Sequence, residues 1–357
     1  MSQERNSNIE LLRIICMFFV VLLHFNNHGV NINIICFQGE LSLQNTLGHL
    51  VESFAIVAVN CFVLISGYYG LSFKLKSLLK LYLQCFFIGL VGYLLYVLLS
   101  PSNLEYTKLL ARVFAFSRNK YWFIYAYLCL YFIAPLLNYA IKSMNKVQFG
   151  KSLVLFSLFL FYFSYIRDVG ENRIGMSYIQ FVLLYLVGRY IGLYFPIEKI
   201  IRYRYKWLLG YVCTALLVFL LAIFVQYSHI SLPFLRPYPY NSILVVASSC
   251  FLLLFMLSKN FYSKIINYIS TSVLAVYLLQ ENPYFGFNIL YPFTEQYFQS
   301  LDSVVMKYAT FFIGSCVFFF VAIMIDKVGF YLTKPIQNLY EVYVAPKIEP
   351  IISRYIN

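Results

Sequence analysis

Long apolar runs, each near the length of a bilayer crossing and separated by short connections, constrain this 357-residue chain more than any motif. A helix needs about 20 apolar residues to span the hydrocarbon core. Runs of that kind fall near 9–26, 50–70, 78–99, 121–141, 152–166, 176–195, 206–228, 240–257, 265–285 and 305–325. The fifth is short, and Pro283 predicts a break in the ninth. Only 11% of the residues are charged and 61% are hydrophobic, whereas a soluble domain carries about 25% charged residues. Such a surface needs lipid as its solvent. The expected fold is therefore all-α, a polytopic membrane protein of about ten helices. Residues 1–335 form the transmembrane domain and 336–357 a tail.

Basic residues set the orientation. Cytoplasmic connections carry an excess of Lys and Arg. With the N-terminus inside, every inward connection is basic, and the first outer loop, 27–49, has no Lys or Arg. Both termini are then cytoplasmic. The exception is the outer connection 100–120, which holds Lys108, Arg112, Arg118 and Lys120. Either the span count slips there or these cations meet an anionic ligand. The net charge of +13 would suggest nucleic acid in a soluble chain. No basic stripe with interleaved aromatics stands clear of the apolar runs, so no nucleic-acid partner is expected. The first run contains Arg13 and lacks a small-residue cleavage site, so it reads as a retained helix, not a signal peptide.

The eight cysteines form no C-x-x-C pair and no Cys/His cluster with metal spacing. They read as small apolar core residues. His28 and His49 lack carboxylate or thiolate company, so no metal site is expected.

Ionisable side chains at membrane depth are costly and mark function by default. The first run carries Glu10, Arg13 and His24. Arg13 and His24 are eleven residues apart. At 100° per residue they share one face, separated by about 16 Å along the axis. An acyl-CoA would meet both groups. Its phosphates suit an Arg fork, and its extended arm spans a similar length. A neutral imidazole at the thioester could take the proton of an attacking hydroxyl. The competing reading is structural: Arg13 snorkels to lipid phosphate and His24 caps an interfacial helix end.

Other polar residues carry similar pairs of readings. Glu52, at the outer start of the second run, would orient the His24 imidazole or sit as a solvated helix-start carboxylate. Trp122 would stack on a sugar ring or anchor the helix in the aromatic belt. Arg118, with Lys120, would stabilise an oxyanion or meet an anionic acceptor, or else face lipid headgroups. Arg189 lies within the sixth run and needs a partner or a water-filled cavity; donor phosphate is one candidate. Ser66 and Gly67 suit close helix packing, and no G-x-S-x-G elbow supports a Ser66 nucleophile.

The opening NSNIELLRIICMFFVVLLHF resembles the start of acyltransferase family 3, membrane O-acyltransferases of bacterial surface polysaccharides, whose Arg-x10-His signature is met by Arg13 and His24. CFVLISGYYG at 61–70, KYWFIYAYLCLYFIAPLLN at 120–138, YLVGRYIG at 185–192 and STSVLAVYLLQENP at 270–283 resemble further segments in the family's order. The resemblance implies about ten spans, cytoplasmic acetyl-CoA as donor, and acylation of a sugar hydroxyl at the outer face. It implies catalysis by His24 and donor binding or a structural role for Arg13. Two departures from the family matter. Lys74 and Lys76 stand where Arg is frequent, offering point charges in place of forks. Gln280 replaces the late His of the family's Y-L-x-H segment, so an acid–base task there is absent or moves to Glu281.

The sequence therefore predicts an O-acetyltransferase of the bacterial inner or plasma membrane. Catalysis is expected of His24 and Glu52, donor binding of Arg13, Lys74, Lys76 and Arg189, and acceptor binding of Trp122, Arg118 and Glu281. Acetyl-CoA is a substrate here and no resident cofactor is expected. The partners are a polysaccharide or lipid-linked sugar and membrane lipid. A transporter or flippase of lipid-linked sugars is the rival, but it would show repeat-related halves with matching broken spans, and Pro283 has no clear counterpart. A polysaccharide polymerase would carry a larger outer loop.

Overall fold

The computed structural model describes residues 6–30, 37, 41–99, 101, 104–111, 114–118, 121–172, 174–230 and 232–355. All regular structure among the described residues is helical. Seven helical stretches are long and apolar enough to cross a membrane: Ser7–Gly29, Leu43–Tyr69, Leu75–Leu99, Trp122–Lys142, Lys146–Ile166, Arg204–Ser228 and Val304–Arg354. Two shorter apolar helices, Tyr178–Tyr194 and Ile243–Leu257, lie where the sixth and eighth spans were expected.

In chain order, α1 is Ser7–Phe25, α2 Leu43–Ala55, α3 Ala58–Tyr69 and α4 Leu75–Leu99. The next connection holds two short helices, α5 (Tyr106–Leu110) and α6 (Ala115–Arg118). Then follow α7 (Trp122–Lys142), α8 (Lys146–Leu160), α9 (Tyr178–Tyr194), α10 (Ile197–Arg202), α11 (Arg204–Ser228) and α12 (Ile243–Leu257). The ninth expected span is divided into α13 (Lys264–Ser270) and α14 (Val273–Gln280). The chain ends in α15 (Tyr291–Gln299), α16 (Val304–Leu339) and α17 (Ala345–Tyr355).

The polar opening of α1 is a joint as well as a cap. The Ser7 hydroxyl donates to Asn267 Oδ1 at 2.9 Å and accepts from the Ser263 amide at 2.8 Å. The Asn8 side chain donates to the carbonyls of Met256, at 3.0 Å, and Lys259, at 2.7 Å. The last carbonyls of a helix have no partner within it, so Asn8 satisfies the end of α12. Beyond that joint α1 is buried on one side by Leu12, Cys16, Met17 and Val20, and it packs against α3, α13, α14 and α16.

Glycine sets the closest helix approach. A Cβ on Gly67 would overlap the Tyr185 carbonyl, one on Gly188 the Leu64 carbonyl, and one on Gly192 the Tyr68 carbonyl. The backbones of α3 and α9 thus touch along two turns, as small residues permit in membranes. The expected packing role of Gly67 is what the structure shows.

Two expected spans need adjustment. The second span begins at Leu43, earlier than expected, and bends at Ile56–Val57 between α2 and α3. The ninth is interrupted at Thr271–Ser272 and again after Gln280. There the Asn282 carboxamide accepts from the amides of Tyr284, at 3.0 Å, and Phe285, at 3.1 Å, and Pro283 ends the helix between them. Within the segment expected as a cytoplasmic tail, residues 336–355 complete α16, pass through a π-helical turn and form α17, and Lys76 Nζ pairs with Glu341 at 2.6 Å.

Candidate active site

His24 lies in the last turn of α1, and the break after α14 delivers two side chains to it. His24 Nδ1 is 3.1 Å from Gln280 Oε1 and 3.5 Å from Glu281 Oε1. The Gln280 amide nitrogen points to the Val21 carbonyl at 3.4 Å, which turns its oxygen toward the imidazole. Two oxygens facing Nδ1 favour the tautomer with the proton on Nδ1, leaving the Nε2 lone pair free. Glu281 is itself held by the Tyr291 hydroxyl, which donates to Oε1 at 2.7 Å. The Tyr291 ring stacks on His28, with centroids 4.5 Å apart.

His24 opens on a small cavity of about 30 Å³ lined by Met17, Phe62, Trp122, Tyr240 and Tyr277 among others. Space of that size holds one or two waters. Trp122 stacks on Tyr240 at 5.8 Å and meets Phe123 and Phe181 edge-on. The Tyr277 hydroxyl is enclosed, with the Phe123 backbone beside it, and its proton meets no acceptor at hydrogen-bond geometry among the described residues. A buried phenol with an unused donor, beside a His with a free lone pair, is a candidate to stabilise a developing oxyanion. Sequence reasoning gave Tyr277 no role, although it is the Tyr of the quoted segment STSVLAVYLLQENP that resembles the family's Y-L-x-H.

Glu52, expected to orient His24, is buried in α2. Its carboxylate accepts from Asn26 Nδ2 at 3.0 Å and from Asn27 Nδ2 at 3.1 Å. It therefore grips the π-helical turn that follows His24, whereas the oxygens facing the imidazole belong to Gln280 and Glu281. The tandem Asn26-Asn27 was the available sequence signal for this arrangement.

At the other end of α1, Arg13 pairs with Glu10 at 2.7 Å. The Tyr127 phenol lies within electrostatic reach of Arg13 and shares a hydrogen bond with Ser66 Oγ at 3.1 Å. Farther along, a cavity of about 710 Å³ is lined by Gly70, Asn138, Lys142, Arg189 and Arg354 among others. Gly70 adopts φ 78°, and a Cβ there would come within 3.0 Å of Arg189 Nη1, so glycine leaves space for the guanidinium. Arg189 Nε is buried without a partner among the described residues. Beside it the Tyr185 hydroxyl donates to Asn138 Oδ1 at 2.6 Å and accepts from the Leu71 amide at 3.1 Å.

The two cavities lie at opposite ends of one seam. Phe62 and Ser66 on α3 and Gly70 at its C-cap recur every four residues, and Phe181, Tyr185 and Arg189 recur likewise on α9. The Ser66–Tyr127 pair lies between these ends.

A family model for the acyltransferase domain of acyltransferase family 3 matches residues 6–327. The chain belongs to acyltransferase family 3. The match runs from the cap of α1 into α16 and includes His24, Gln280, Glu281 and Arg189, and the end of α16, the π-helical turn after it and α17 lie outside. It makes this multi-pass chain a membrane acyltransferase. Comparison with curated proteins and with solved structures finds no match.

The remaining expected site residues separate. Lys74 is exposed and does not line the large cavity, its backbone amide donating to the Tyr131 hydroxyl at 2.8 Å. Lys76 is engaged by Glu341. Arg118 closes α6, and its side chain, like Arg112 and Lys120, lies outside the described residues.

Proposed function

We propose that the chain is an O-acetyltransferase of a bacterial inner or plasma membrane, with about ten spans and both termini cytoplasmic. It transfers acetyl from cytoplasmic acetyl-CoA to a hydroxyl of a cell-surface polysaccharide or its lipid-linked unit. The observation that carries this reading is the placement of a carboxylate-backed His24 and a basic cavity at opposite ends of one helical seam. With the N-terminus inside, the cavity of Arg189 faces the cytoplasm and His24 lies toward the outer face.

In this reading the donor nucleotide occupies the basic cavity, where Arg189 and Lys142 hold phosphate. The pantetheine arm runs along the seam past Ser66, Tyr127 and Arg13 toward His24. Trp122 and Tyr240 form an aromatic platform for the acceptor sugar. His24 Nε2 takes the proton of the acceptor hydroxyl as its oxygen attacks the thioester carbonyl carbon. The Tyr277 hydroxyl faces the oxygen that gains charge. The C–S bond then breaks, the sulfur takes the proton from His24, and acetyl ester and free CoA result. Gln280 and Glu281 keep Nδ1 protonated, and Glu281 stabilises the imidazolium while it lasts. Glu281, expected to bind acceptor or to take over an acid–base task, has a positioning role in this reading.

Family membership gives the transporter alternative no support. The direct test is transfer of labelled acetyl from acetyl-CoA to extracted surface polysaccharide by membranes containing the protein. Labelled ester in polysaccharide supports the reading, and none on any candidate polymer contradicts it.

A further inference from the structure

Residues beyond 327 fall outside the matched family domain, yet they return to the basic cavity. Two contacts with Lys76, and one within the segment, fix this return. Lys76 Nζ pairs with Glu341 Oε1 at 2.6 Å. The Lys76 backbone amide donates to Glu349 Oε1 at 3.0 Å, and the Tyr340 hydroxyl donates to the same oxygen at 2.8 Å. From Glu349, α17 continues past Pro350, and Arg354 lies five residues on, in its last turn. At 1.5 Å per residue that is about 7–8 Å farther along the axis. There Arg354 joins Lys142 and Arg189 in lining the cavity. Lys76, expected to bind donor phosphate, contacts the segment that brings another cation.

The three cations differ in depth and origin. Arg189 comes from α9 and is partly enclosed, with its Nε buried and unpartnered. Lys142 comes from the end of α7. Arg354 is exposed and enters from the C-terminal helix. A cavity of about 710 Å³ is large enough for a nucleotide. A coenzyme A thioester carries two separate anionic groups, a pyrophosphate that leads into the pantetheine arm and a phosphate on the ribose, farther from the sulfur. The arm must leave by the seam, beside Tyr185 and Arg189. The ribose phosphate then lies at the outer rim, where a planar guanidinium grips phosphate with two parallel hydrogen bonds.

We infer that α17 is a clasp over the donor cavity and that Arg354 recognises the ribose phosphate of coenzyme A. This rests on the reading of that cavity as the donor site. The clasp makes the chain selective for phosphorylated coenzyme A over its dephospho form, a selectivity added from outside the matched domain.

The test uses the full-length protein in detergent and measures binding of coenzyme A and dephospho-coenzyme A. The wild type is expected to prefer coenzyme A by about tenfold, the loss of one charged hydrogen-bonded contact. Arg354→Ala should abolish that preference by weakening coenzyme A alone, and Arg354→Lys should restore part of it. Glu349→Gln, which loosens the anchor without touching the cavity, should move affinity in the same direction by less. Unchanged coenzyme A binding by Arg354→Ala would overturn the inference and leave the donor site standing. Equal weakening of both ligands would also overturn it. A wild type that binds neither ligand would remove the donor-site reading itself, and the clasp with it.

Discussion

His24 and Glu281, 257 residues apart in the chain, meet with Nδ1 and Oε1 3.5 Å apart. The helix break at Asn282–Pro283 makes the meeting possible by stopping α14 where its last residues face α1. A carboxylate beside a histidine fixes the tautomer and stabilises the charged ring during proton transfer.

Removing that charge while keeping shape tests the role. Glu281→Gln should lower acetyl transfer by roughly 10²-fold or more, within the range general acid–base assistance supplies. Membrane levels should stay normal, because the Tyr291 hydroxyl can still donate to the amide oxygen. The check is labelled acetyl incorporated per unit of membrane protein. Activity within twofold of wild type would remove Glu281 from the mechanism.

Tyr277→Phe deletes one enclosed hydroxyl and little else. An oxyanion donor contributes about 10²–10³ in kcat. The variant should therefore lose kcat on that scale while KM for either substrate changes little. A raised KM at unchanged kcat would assign the phenol to ground-state binding instead.

Gly188 tests the fold. Its Cβ would enter the Leu64 carbonyl, a backbone atom that cannot rotate away. Gly188→Ala should force α9 from α3 at a cost of about 1–3 kcal/mol, typical of overpacking. A lowered melting temperature in detergent would report it. Gly314→Ala is the control, since nothing lies within 4 Å of a Cβ at Gly314. Equal melting temperatures for both variants would show that the α3–α9 contact is looser than described.

The sequence displayed what depends on local pattern. Apolar runs, the Arg13–His24 spacing and the proline at 283 are each readable within one segment, and the corresponding helices and break are present. What could not be read depends on contacts between distant segments. Nothing near residue 24 announces Glu281, and the expected partner, Glu52, is drawn to Asn26 and Asn27 because it approaches α1 just past the histidine. Lys76 looked like a phosphate ligand because Glu341 and Glu349 lie more than 260 residues away. Asn8 carries no signal in the sequence, and its task, closing the end of α12, needed the fold to bring Met256 and Lys259 beside it.

The central claim is that His24 moves the proton of the acceptor hydroxyl. The most direct measurement replaces His24 with Ala, verifies the amount of protein in the membrane, and quantifies O-acetyl groups on surface polysaccharide beside the wild type. The account predicts loss of acetylation by about 10²–10⁴-fold at equal protein level. Acetylation at the wild-type level in the variant would contradict it.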